Sequence, residues 1–334
     1  MVFKEQLPVG KLPENVLKNH VLRYRGYPRG DVVLWPGFGE DAGAVRASKN
    51  VYVLSTDPIT GSKNFIGWLS VHASANDVAV SGARPEWFSS TILLPRGSRP
   101  RDLSQITRQI HSACRQLRVA VVTGHSEVAP YVSEPTVVGH MIGRLVAGKL
   151  VTSHGARPGD HIIMVKSAGL EGTAIIASDY PHVLKKKGLA MNIISRARRM
   201  IRRTSVVKEA LAFASAGVSA MHDPTEGGLI GGLYELAQAS NVGFYVDKSK
   251  VLIDPVVAKT CDALKLDPLK LISSGTLLAT SPRMSRKTLE KTEARVIGKI
   301  VERKRGMLLF SNGSEERIKG PVQDELWRFI SERG

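Results

Sequence analysis

Four acidic residues in the first half of the chain share a setting: Asp41 in GFGEDAGAV, Asp57 in STDPITG, Asp77 in SANDVAVSGARP and Glu127 in TGHSEVAP. Most follow an apolar run or adjoin Gly, Ser, Thr or Pro. In open α/β folds, loops at strand ends are where ligands bind. Carboxylates gathered there repel one another unless a hard cation stands among them, and magnesium takes one or two carboxylates together with phosphate oxygens. The bland alternative for each acid is a helix cap or an Asx-turn. A further acid, Asp223, lies in AMHDPTEGGLIGGLYELAQ, where Gly227 and Gly228 lead into apolar residues at Leu229, Leu233, Leu236 and Ala237, one face of a helix. Glycines at a helix start leave N–H groups uncovered, where the helix dipole favours an anion. The alternative is that the pair merely lets the helix approach a strand.

His72, His125 and His222 flank these motifs as phosphate donors or proton carriers. His125, in the same segment as Glu127, is the favoured catalytic residue, against the structural role that a lone histidine more often has. Lys11, in PVGKLPENVL, is a candidate phosphate contact. No G-x-x-x-x-G-K-[ST] segment occurs, which excludes a Walker-type site. Gly37, Gly39 and Ala42 have the G-x-G-x-x-A spacing, but a strand-like run follows where a dinucleotide site needs a helix.

The elements that must position these residues alternate between strands and helices. NVYVLSTD (50–57), VAVVTG (119–124) and TVVGHMIGRLV (136–146) read as strands, and 66–82 and RDLSQITRQIHSACRQL as helices. Turn residues in SHGARPGD put a boundary near 150, and a second series of strands and helices follows. The expectation is two α/β domains, residues 1–150 and 151–334.

Composition narrows the class. With 43% hydrophobic and 23% charged residues the chain resembles a folded soluble protein. No run approaches the roughly 18 apolar residues of a membrane helix, and the N-terminus lacks a signal-peptide core, so the expected location is cytoplasmic. Cys114 and Cys261 stand far apart, which argues against a zinc site or a disulfide framework. The net charge of +17 is concentrated: between Val183 and Lys208 there are nine Lys or Arg and no acid. Such a stripe is either a solvated helix face or a binding surface for an anionic partner.

The segments GEDAGAV, STDPITG, ANDVAVSGARP, TGHSEVAP and AMHDPTEGGL occur in the order seen in the aminoimidazole-ribonucleotide (AIR) synthase superfamily. Within it the sequence most resembles the branch of the hydrogenase expression/formation protein HypE, with VGFYVD, CDALKLDPLKLISSGTLLA and ARVIGKI similar to that branch's second domain. The resemblance spans about residues 10–325. It implies an N-terminal domain whose strands form a dimeric barrel with a second subunit, an α/β C-terminal domain, and Mg-ATP in the cleft between them. It makes Asp41, Asp57, Asp77 and Glu127 metal and phosphate-site ligands, and puts Asp223, Gly227 and Gly228 in the cleft wall. The implied chemistry is ATP-dependent activation of an oxygen, of an amide or an acid, by phosphoryl transfer to an unknown small substrate. HypE-type members carry a terminal cysteine that receives a carboxamide; PVQDELWRFISERG has none, so self-cyanation is not expected, and Trp327 and Phe329 are expected to pack the last helix on the core. The competing reading is a non-catalytic binding protein on the same fold, contacting nucleic acid through residues 183–208.

Overall fold

The computed structural model describes Leu7 and residues 10–332 apart from 147 and 312. Its strands are β1 (Val32–Leu34), β2 (Gly43–Ala47), β3 (Asn50–Ile59), β4 (Ala83–Leu94), β5 (Ala120–Val128), β6 (Thr136–Leu145), β7 (His161–Val165), β8 (Ala220–His222), β9 (Val242–Asp247), β10 (Leu277–Ser281), β11 (Arg295–Glu302), β12 (Met307–Ser311) and β13 (Ser314–Arg317). The α-helices are α1 (Glu14–His20), α2 (Ile66–Val80), α3 (Pro100–Leu117), α4 (Leu170–Asp179), α5 (Pro181–Lys186), α6 (Met191–Arg199), α7 (Val207–Ser215), α8 (Gly228–Ala239), α9 (Pro255–Leu264), α10 (Arg286–Thr292) and α11 (Glu325–Ser331). They build a mixed α/β protein with two sheets. One runs β1-β2-β3-β6-β4-β5, and the other β13-β12-β9-β11-β7-β10-β8.

The connection between the halves is α2. All of its residues except Trp68 are buried, so it has no solvent face. Small side chains make this possible. A Cβ on Gly139 of β6 would stand 2.6 Å from the Ser70 carbonyl oxygen, so only glycine lets the helix lie this close to the strand. Across the junction, the Asn76 side chain donates to the Thr204 carbonyl oxygen (2.9 Å) and accepts from the Val206 N–H (2.8 Å). Both ends of a buried amide are thereby satisfied.

The expected apolar face of α8 is present: Leu229, Leu233, Leu236 and Ala237 are all buried. The helix begins through two left-handed residues, Gly227 (φ 84) and Gly228 (φ 63). A Cβ on Gly228 would lie 2.7 Å from the Leu269 carbonyl oxygen. The Gly227 N–H donates to Asp324 Oδ2 at 2.6 Å, the Gly228 N–H to the Thr225 carbonyl oxygen, and the Ile230 N–H to the Leu269 carbonyl oxygen. The anion at this helix start is therefore the chain's own Asp324, whose Oδ1 also caps α11 by accepting from the Leu326 N–H at 2.7 Å.

Burial pushes the Asp324 carboxyl up to about 7, against the opposing pull of the Leu326, Gly227 and Ile272 N–H groups. Asp324→Ala removes the acceptor of two buried N–H groups at once. It is expected to cost about 1–3 kcal/mol in urea denaturation, and a loss below 0.5 kcal/mol, about the value for an ordinary surface change, would contradict this role.

Candidate metal and nucleotide site

Strand β3 and helix α2 carry the first two acids. Ser55 and Asp57, two residues apart, share the face of β3 that meets α2. Ser55 Oγ lies 3.0 Å from Asp57 Oδ2 and 2.5 Å from Asp77 Oδ2. A hydroxyl has one proton to give, so both contacts are satisfied together only when one carboxyl is itself protonated.

Asp223, just past β8, and Asp41, just before β2, approach from the other side. One ligand atom from each of Asp41, Asp77 and Asp223 lies within 4.8 Å of the others. Asp223 is buried and neither of its oxygens meets an N–H or O–H donor. The Asp77 carboxyl within its reach can donate only when protonated. Burial, followed by the neighbouring carboxylates, drives both Asp77 and Asp223 well above the ordinary aspartate range. The donorless oxygens of buried Asp223, with the Asp41 and Asp77 carboxyls converging on them, make a donor set for a hard cation, and these residues fit one.

A charge chain backs the cluster. Asp41 Oδ2 stands 2.8 Å from His222 Nδ1, His222 Nε2 stands 3.0 Å from Glu235 Oε2, and Lys11 Nζ donates to Glu235 Oε1 at 2.9 Å. Burial alone would lower the His222 pKa, but Asp41 and Glu235 outweigh it and lift it to about 10. Glu235 runs the other way: Lys11 and His222 overcome its burial and hold it at about 2. His222 is thus a buried imidazolium that offsets part of the negative charge.

Asp41, Asp57 and Asp77 open into a cleft of about 700 Å³ lined from both halves of the chain, with Asp223 buried behind them. Glu40, Asp41, Asp57, Asp77, Glu171 and Glu226 contribute carboxyl groups to its described lining, and Lys11 the one cation. The cleft also receives Trp327 from α11, whereas Phe329 is buried in the core beside α4 and α9. The expectation that both aromatics pack the last helix holds for Phe329 alone.

Other sequence expectations are corrected. Asp57, Asp77 and Glu127 are not in loops at strand ends: they lie inside β3, α2 and β5, and Asp41 alone is in a loop. Gly227 and Gly228 stand behind the cleft wall that Thr225 and Glu226 form, because their N–H groups and left-handed turn serve the packing described above. Lys11 is committed to Glu235. His125 and Glu127 pair with each other at 3.2 Å on exposed β5. The row Asp57–Gly139–Ser90–Gly124 across β3, β6, β4 and β5 puts three strand spacings, roughly 14 Å, between Asp57 and β5. Within one chain, Glu127 and His125 do not join the cluster. Sequence reasoning left unused Ser55, Glu171 and Glu235, which the fold brings to the site, whereas His222, a candidate from the sequence, stands between Asp41 and Glu235.

Residues 39–145 match the family model for the N-terminal domain of AIR synthase related proteins, and residues 157–310 that for the C-terminal domain. The chain belongs to this family. Among its relatives, carbamoyl dehydratase HypE of Cupriavidus necator is 32% identical over 75% of this chain and 73% of its own. The hydrogenase expression/formation protein HupE of Azotobacter chroococcum is 29% identical, covering 80% of each. The fold is shared with a hydrogenase maturation protein HypE solved in complex with ATP (TM-score 0.69, 22% identity, 96% of this chain and 98% of that one). It is also shared with AaThiL complexed with AMPPCP and TMP (TM-score 0.71, 18% identity, 86% and 91%). Among the described residues, no helix is long and apolar enough to cross a membrane.

Asp223→Asn replaces an acceptor that has no donor by an amide that can donate to Asp77. In metal-free protein at neutral pH it is expected to raise stability by about 1–3 kcal/mol. The wild-type dependence on pH follows from the raised carboxyls. Below about pH 4 the folded and unfolded chains both hold these protons; above it the unfolded chain releases them first, so metal-free stability falls as pH rises. Thermal melting in EDTA between pH 4 and pH 8 checks both, and an unchanged melting temperature in Asp223→Asn would contradict the reading.

Proposed function

We propose that the protein is an ATP-dependent, magnesium-assisted enzyme that transfers a phosphoryl group to an oxygen of a small amide or acid. The observation that carries this reading is the cleft itself: in its described lining six carboxyl groups face one lysine, and two of them, Asp41 and Asp77, converge with buried Asp223 within 4.8 Å. A triphosphate entering such a cleft without metal meets like charge. With magnesium on Asp41, Asp77 and Asp223, the same acids become its anchor, and phosphoryl transfer demands little beyond this positioning and charge neutralisation.

Bound magnesium would neutralise phosphate oxygens. The chain's own residues orient what binds: Ser55 bridges Asp57 and Asp77, and His222 fixes Asp41. Relatives named carbamoyl dehydratase and fold neighbours solved with ATP or AMPPCP support an ATP-dependent enzyme of this family. Self-cyanation falls outside the proposal. The described C-terminal helix is pinned on the core by buried Leu326 and Phe329.

The proposal includes a homodimer. Every residue of β5 is exposed, with Val121, Val122 and Val128 between 52% and 56% exposed. An uncovered, valine-rich edge strand calls for a partner. A second copy at this edge would bring its Glu127 and His125 toward the neighbouring site, which is how those two residues enter the chemistry.

Calorimetric titration with ATP tests the first part. Binding is expected with magnesium, not in EDTA, and not in Asp57→Asn; at 100 times the dissociation constant ATP should add about 2.7 kcal/mol of stability. Equal binding without magnesium would sink the carboxylate site. For the dimer, sedimentation should give two subunits for the wild type and one for Val121→Glu/Val122→Glu. A monomeric wild type would remove Glu127 and His125 from the mechanism.

A further inference from the structure

The nine cations between Lys185 and Lys208 are all exposed. Arg203 pairs with Asp254 at 3.2 Å, and the other eight make no ion pair with any described residue. By helical spacing, Arg198, Arg199 and Arg202 fall at i, i+1 and i+4 on the side next to the buried face of Ile194, Ala197 and Ile201.

Arg202 reaches the rim of a groove of about 380 Å³ whose opposite bank is α3. Gln105, Arg108 and Ser112 of α3 form that bank, and Phe65 and Trp68 lie in the floor. Arg108 gives its Nε–H to the Ser104 carbonyl oxygen, and its guanidinium has no acidic partner among the described residues. Arg101, Arg108 and Arg115 recur every seven residues and are all exposed, so the basic bank extends roughly 21 Å along α3. Two basic banks, one on each half of the chain, therefore face a common groove.

We infer that this groove binds a single-stranded nucleic acid through its phosphates. Three observations choose this occupant. The cations continue past both ends of the groove, which suits a chain of phosphates better than one small anion. Among the described residues, no large apolar side chain is exposed on α3 or on residues 198–203, whereas a protein partner needs an apolar core to its interface. The groove is rimmed by Arg, Gln and Ser, the side chains that contact nucleic-acid backbones. The inference is independent of the ATP site, which lies in a different cavity with no lining residue in common.

The test is fluorescence anisotropy of the full chain with a labelled oligouridylate of about 16 nucleotides and with oligodeoxythymidylate of the same length. Arg108→Glu/Arg202→Glu is compared with Arg283→Glu/Lys287→Glu, an equal charge change at exposed residues elsewhere. The groove variant is expected to lose at least tenfold in affinity and the control less than threefold, with both melting like the wild type. With four phosphates contacted, raising salt from about 50 to 200 mM should weaken wild-type binding roughly fiftyfold. Tighter binding of one oligonucleotide names RNA or DNA as the ligand. Equal loss in both variants, no binding at low salt, or preference for poly-glutamate of matched charge would each overturn the inference.

Discussion

The structure depends on like charges held together away from water. Asp41, Asp77 and Asp223 come from a loop, a buried helix and the end of an edge strand, and they meet where the two halves of the chain meet. Nothing in hydrophobic packing favours that meeting, and burial of each carboxylate opposes it. The fold meets the cost in stages. Ser55 bridges two acids, His222 brings a buried positive charge to Asp41, and burial makes the Asp77 and Asp223 carboxyls hold their protons more tightly than ordinary aspartates. What remains uncompensated is the attraction for a hard cation, and a phosphate chain that brings one.

This constraint explains why α2 is so thoroughly enclosed. A helix bearing an acid at the centre of a molecule must be fixed from every side, and small residues with Gly139 beneath them supply the close contact. The same economy shapes α8. Its N-terminal amides look available in the sequence, yet Asp324 and two backbone carbonyls use them, locking the C-terminal segment to the cleft wall. Trp327 faces the cleft as a consequence of that locking.

Much of this was legible in the sequence, for identifiable reasons. The apolar spacing of α3 reports one-sided burial, which periodicity detects, and the leucine face of α8 was legible in the same way although that helix is buried on nearly every side. The acids were legible as a set because each stands in a short polar motif of the family. Their local settings were not. Pro58 looks like the end of a strand, but β2 pairs with β3 only as far as Leu54. Beyond it, one side of β3 has no ladder, and a residue without an N–H costs nothing there. The segment around Glu127 reads as a loop because Gly, His and Ser are poor strand formers. It is held as a strand by parallel pairing to β4, a contact between residues far apart in sequence. His222 and Lys11 stand out singly in the sequence, but their pairing through Glu235 joins residues up to 224 apart, which no local pattern reports.

The central claim is that the three converging aspartates hold a divalent cation. Crystals soaked with manganese and a non-hydrolysable ATP analogue test it most directly through anomalous scattering. The account predicts a peak about 2.1 Å from oxygens of Asp41, Asp77 and Asp223, with phosphate oxygens completing the shell. Analogue density in the cleft without metal at these carboxylates, or manganese bound elsewhere, would contradict it.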